Sequence, residues 1–245
     1  MTRWLIELAG DPMDTEEFPN WFPDGDVFAV VHGGKHYLTG NRFEDFEDGG
    51  TVRAEAAEIL KGMSATISLL WPKLVPPVVG NVIRQHDDGR RDIYFFPETG
   101  HYRNKIYPPT VTQEGIDTPQ MPTQAQRILL AAQTSSHLKE ALVVWADRNR
   151  SWARLYRVLE SIERHLGTSA SKAGFCSANE AERFTRSANS SDVAGVDARH
   201  ASGKFEPPKH PMTLPEAEEF VRSVFEKILL QMVKSDATPK SSASD

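Results

Sequence analysis

The 245-residue chain has a single cysteine, Cys176, which rules out an intramolecular disulfide and any zinc finger built on several thiolates. It has no unbroken apolar run of about eighteen residues, the minimum for a helix that spans a bilayer. Residues Met1–Gly10 carry Arg3 and Glu7 and lack the apolar core of a secretory signal. Together these absences predict a cytoplasmic protein with no membrane contact. The common catalytic signatures are missing as well. Gly33-Gly34-Lys35 lacks the upstream glycine and the following Ser or Thr of a phosphate loop. No Gly-x-Ser-x-Gly elbow occurs. The eight histidines form no His-Glu-x-x-His helix, and His32 and His36 merely flank a predicted turn. The acidic run Glu44, Asp45, Glu47, Asp48 is interrupted by Phe46 and lacks calcium-loop spacing. No metal and no cofactor is expected.

What is present is an uneven charge. The chain carries −6 overall, but residues 1–122 hold 11 Lys+Arg against 19 Asp+Glu, while residues 123–234 hold 16 against 13. Such asymmetry predicts two units with different surfaces. The acidic half would suit a protein partner, or would cover the basic half in cis.

The hydrophobic period changes along the chain. Trp4, Ile6 and Leu8 alternate over residues 3–9 as in a strand. Residues 14–22 hold a short helix, and residues 27–32 and 35–39 flank Gly33-Gly34 as a hairpin. Val52, Ala56, Ile59, Leu60, Met63, Ile67 and Leu70 then step by three and four, predicting a helix over 51–71 capped by Thr51. Residues 78–85 and 92–96 return to strand around an Asp88-Gly89 turn. The prediction for 1–98 is a small antiparallel sheet with its helices on one face. Residues 99–122, punctuated by Pro108, Pro109, Pro119 and Pro122, form a linker. Residues 123–234 are predicted all-helical, with helices over 123–147, 152–166, 177–189 and 214–234. Residues 235–245 are a polar tail expected to stay disordered. The fold class is thus α+β followed by an all-α bundle.

Arg150, Arg154 and Arg157, with Arg164 further along, share one side of the helix over 152–166. A guanidinium row of this kind can hold phosphate oxygens in paired hydrogen bonds. The irregular stretch 183–210 adds Arg183, Arg186, Asn189, Arg199 and His200. The adjacent Arg199-His200 pair offers a fixed cation beside a group that titrates near neutrality, a combination suited to acid–base catalysis on a phosphodiester.

The helical half, over 123–234, resembles the HEPN-type helical domains of bacterial conflict and toxin systems. The likeness rests on Trp152-x-x-Leu155-Tyr156 followed by Glu160, on Ser187-Ala188-Asn189, on Ala198-Arg199-His200, and on Pro211-Met212 with Glu216-Ala217. It implies an RNA-binding or interaction module in a toxin or phage-defence setting, usually a homodimer. It also implies, as an alternative, metal-independent RNA cleavage at Arg199 and His200, which are adjacent here and several residues apart in that family. A purely structural dimerisation module is the remaining alternative.

Overall fold

The structure, a computed structural model, describes residues 3–96, 122–198 and 206–236. All but the last residue of the expected linker 99–122 lies outside them, as do Arg199 and His200 and the tail from residue 237. The chain divides into two compact units, Met1–Arg127 and Ile128–Asp245. The fold is α+β: a five-stranded antiparallel sheet in the first unit, with helices predominating in the second.

In the first unit β1 (Arg3–Ala9) is the central strand, and the sheet order is β2-β3-β1-β4-β5. Its central place explains why Trp4 to Leu8 are all buried, whichever face they project from. The β2 (Phe28–His32) to β3 (Lys35–Thr39) hairpin closes at the His32–Lys35 pair. Gly33 and Gly34 have φ of 58° and 76°, the left-handed values that a two-residue turn requires and that only glycine adopts without strain. On the other side of β1 lie β4 (Val78–Gln85) and β5 (Arg91–Tyr94), with a register shift against β1 between Ile6 and Leu8. A bulge of this kind adds twist and bends the sheet.

The helices of this unit lie on one face. That face carries Trp4, Ile6, Leu38 and Val82, all nearly inaccessible to solvent. Helix α3 (Gly49–Leu70) begins two residues before the predicted start, and its cap is Asp48 rather than Thr51. The Asp48 carboxylate accepts the Thr51 N–H at 2.8 Å, and these hydrogen bonds hold its pKa below the ordinary value. Gly49 fits against the Tyr94 ring so closely that a Cβ would sit 2.5 Å from it. In place of one helix over 14–22 there are two single turns, α1 (Pro12–Thr15) and α2 (Phe18–Trp21). The chain is tied to this face by a Thr15 Oγ1 to His36 Nδ1 hydrogen bond of 2.8 Å and by a stacked Trp21–Trp71 pair at 4.5 Å.

The helical run predicted over 123–147 is broken. Helix α4 (Gln124–Gln133) ends, and α5 (Ser136–Ala146) restarts with Ser135 accepting the Leu138 N–H. Serine competes with the helical backbone for hydrogen bonds, so it favours a cap over a helix interior. The start of α4 belongs to the first unit, where Gln126 Nε2 donates to the Asp24 carbonyl at 2.9 Å.

In the second unit α6 (Trp152–Leu166) is capped by Ser151 and stopped by Gly167 at φ 66°. Its buried stripe of Leu155, Val158, Leu159 and Ile162 packs against α5 and α9 (Leu214–Asp236). The capping box predicted at Ser177 and Glu180 opens α7 (Ala178–Asn189). A single turn, α8 (Ser191–Ala194), and a 3-10 turn follow, in a stretch expected to be irregular. The core aromatic is Phe184, 6.0 Å from Tyr156 and 5.3 Å from Phe220 between ring centroids. Among the described residues no helix is long and apolar enough to cross a membrane.

Candidate functional site

The arginines predicted to face phosphate can be placed one by one within the helical unit. Arg150 is the most enclosed, with 13% of its side chain exposed. It donates to Glu218 and to the carbonyls of Trp145 and Asp147, and its guanidinium lies 4.2 Å from the Trp145 ring centroid. Arg154 pairs with Asp147, and Arg157 holds Glu140 at 2.8 Å. That hydrogen bond keeps the Glu140 carboxyl below its ordinary pKa. Arg154 and Arg157 lie on α6, whereas Arg150 precedes its extended cap Ser151 and so is not on the predicted helix face; each of these three cations meets a carboxylate brought in by another element. A neutralised cation releases few counterions on meeting phosphate.

Arg183 and Arg186 act on the segment that precedes α9. Arg183 donates to the His210 carbonyl at 2.7 Å, to the Pro211 carbonyl and to Glu216. Arg186 donates to the carbonyls of Glu206 and Pro207, and Ser187 accepts the Met212 N–H at 2.9 Å. The three side chains fasten residues 206–212 along α7. Asn189 is buried, and its Oδ1 has no hydrogen-bond partner among the described residues. Arg199 and His200, the proposed catalytic pair, lie outside the described residues.

The arrangement that sequence reading missed is on the sheet. Its second face carries Arg3, Leu5 and Glu7 of β1, Lys35, Tyr37 and Thr39 of β3, His32 of β2, Asn81, Ile83 and Gln85 of β4, and Arg91 and Ile93 of β5. The face is bent into a trough. Arg91 on one edge strand reaches His32 on the other, with Nη2 and Nε2 3.3 Å apart. Leu5, Tyr37 and Thr39 on this face are buried.

The charge on this face is one-sided. Among the described residues Glu7 is the sole carboxylate on it, and it is neutralised by Lys35 and accepts a hydrogen bond from Asn81 at 3.0 Å. Asn81 in turn accepts the Phe96 N–H at 3.1 Å, fixing the end of β5. Arg3 donates to Thr39 Oγ1 and Arg91 to His32. Neither guanidinium has a carboxylate partner among the described residues. Tyr37 lies between these groups. Burial pushes its hydroxyl pKa up, with Glu7 adding to the rise and Lys35 and Arg91 opposing it. The rim is apolar, with Ile93 and Phe95 49% and 78% exposed. Asp92 projects to the opposite side of the sheet and pairs with His86. His32 and His36 also fall on opposite faces, so they do not converge.

Sequence offered no local signal for this site, because Arg3, Lys35 and Arg91 are dozens of residues apart and sit within the more acidic half. Alternation along β1, β3 and β5 was the one available clue, since it puts each on its strand's second face. Comparison with protein-family models, with curated proteins and with solved structures finds no match.

Proposed function

We propose that this protein is a nucleic-acid-directed binding module that grips the phosphate backbone through the trough of its N-terminal sheet, with the helical unit as a self-contained support. The carrying observation is the contrast in arginine pairing. Arg3 and Arg91 line a face on which the described residues leave no unneutralised carboxylate, whereas Arg150, Arg154 and Arg157 are each held by an acid. A guanidinium with no carboxylate partner among the described residues supports electrostatic phosphate contact, and the exposed Phe95 offers a surface for a base to stack on. This keeps the RNA-binding expectation and moves its site from the helices to the sheet.

The test is fluorescence anisotropy with a labelled twelve-nucleotide RNA. Arg3→Ala with Arg91→Ala should weaken binding by about tenfold or more and flatten the dependence of log K on log salt by roughly one unit. Arg154→Ala with Arg157→Ala should leave the affinity unchanged. The reverse pattern would return the interface to the helix row.

A further inference from the structure

The Arg91–His32 contact is chemically incomplete. An arginine is permanently charged and cannot accept, so the bond at 3.3 Å requires His32 to be neutral and to present the lone pair of Nε2. A guanidinium resting on a neutral imidazole gains far less than one resting on an oxyanion. The same contact joins the two edge strands across the trough, because β2 and β5 are the outermost members of the sheet. Among the described residues the charged and titratable groups on the same face are Arg3 and Glu7 from β1, Lys35 and Tyr37 from β3, and Arg91 itself from β5. The Tyr37 ring meets the imidazole edge-on at 6.2 Å. Lys35 already neutralises Glu7, so among the described residues the face is left with two guanidinium groups that have no carboxylate partner, Arg3 and Arg91, and one group that can become a further cation.

We infer that Arg91 and His32 form a proton-coupled phosphate site, a conclusion that takes the trough of the preceding section as its location. When a phosphate oxygen arrives, Arg91 turns from Nε2 to the oxyanion. The freed Nε2 takes a proton from solvent, and the resulting imidazolium donates that N–H to a second phosphate oxygen. Without the anion, protonation would set two cations against each other at hydrogen-bond distance, so proton and phosphate each favour the binding of the other. Affinity rises as pH falls, because the bound state holds one more proton than the free state. A phosphodiester keeps its single charge over this range, so the titrating group is the imidazole. Free phosphate and the backbone of a nucleic acid both present phosphate oxygens to this site, and the experiment separates them.

The experiment measures binding of the full chain to the twelve-nucleotide RNA from about pH 8 to about pH 5.5, a span that brackets the usual imidazole titration. His32→Gln, which keeps an acceptor for Arg91 but cannot take a proton, is run in parallel. Inorganic phosphate is titrated separately while the His32 ring protons are followed by NMR. The expected result is an affinity about tenfold higher at the acid end, flattened in His32→Gln with binding retained at pH 8. Identical pH profiles for the two proteins would overturn the proton-coupled site while leaving salt-sensitive binding at Arg3 and Arg91 intact. Proton uptake at His32 with inorganic phosphate and no affinity for RNA would keep the site and overturn the nucleic-acid reading. Absence of both responses would remove both.

Discussion

The two units use arginine in opposite ways. In the helical unit Arg150, Arg183 and Arg186 are internal fasteners. Arg150 bridges Trp145, Asp147 and Glu218, while Arg183 and Arg186 hold carbonyls of the segment before α9. In the sheet unit, among the described residues, Arg3 and Arg91 hold a hydroxyl and an imidazole and no carboxylate, although this half of the sequence carries the larger negative charge. Net charge per segment is thus a poor guide to which arginines meet a carboxylate among the described residues. The arrangement of partners decides it, because a cation already paired contributes little to an external field.

Breaking the fasteners should show the comparison most clearly. Arg150→Ala removes a largely enclosed guanidinium and strands the Trp145 and Asp147 carbonyls, so we expect a loss of about 2–4 kcal/mol in the helical unit. Thermal unfolding would measure it, and an unchanged midpoint would mean that the clamp is dispensable. In the sheet unit the comparable weak point is steric. Gly49→Ala forces a methyl into the Tyr94 ring and should cost about 1–3 kcal/mol, read as a lower urea midpoint at unchanged slope.

Each unit also has a histidine whose pKa burial lowers: His36, against an opposing pull from Glu16, and His165, with His137 adding to the effect. A base with a depressed folded pKa binds fewer protons folded than unfolded. Its contribution is therefore present above the unfolded value of 6.5 and is lost as pH falls from there through the folded pKa. Both units should weaken between neutral and mildly acid pH. His165→Gln should lessen the effect in the helical unit alone, since Nδ1 of His165 meets the α5 cap Ser135. The smallest effect is expected from Arg157→Ala. Its pair with Glu140 is solvent-exposed, so the change in stability should stay within about 1 kcal/mol. A larger loss would show that the helix row is more tightly organised than its exposure indicates.

Local order was legible where the determinant lies within one turn or one hairpin. The Gly33-Gly34 turn, the Asp88-Gly89 turn, the Ser177–Glu180 capping box and the apolar stripe of α6 depend on residues a few positions apart, and the sequence displays them. Reading failed where two local preferences compete. Residues 123–147 contain good helix formers throughout, yet Ser135 takes the cap role and splits the run. Thr51 looked like a cap, but Asp48 lies three residues before it and captures its N–H first. The candidate site was legible only as an inventory of basic residues.

The sequence by itself determined the α+β class, the strand alternation and the helical spacing of Arg154 and Arg157, because periodicity and capping are short-range. Only the tertiary structure decided which cations are neutralised and which are not. Glu140 reaches Arg157 and Glu218 reaches Arg150 from other helices, while the bend of the sheet brings His32 and Arg91 together from opposite edges. Ion pairing acts over a few ångströms of space and is indifferent to separation along the chain, so its outcome becomes visible once the elements have packed.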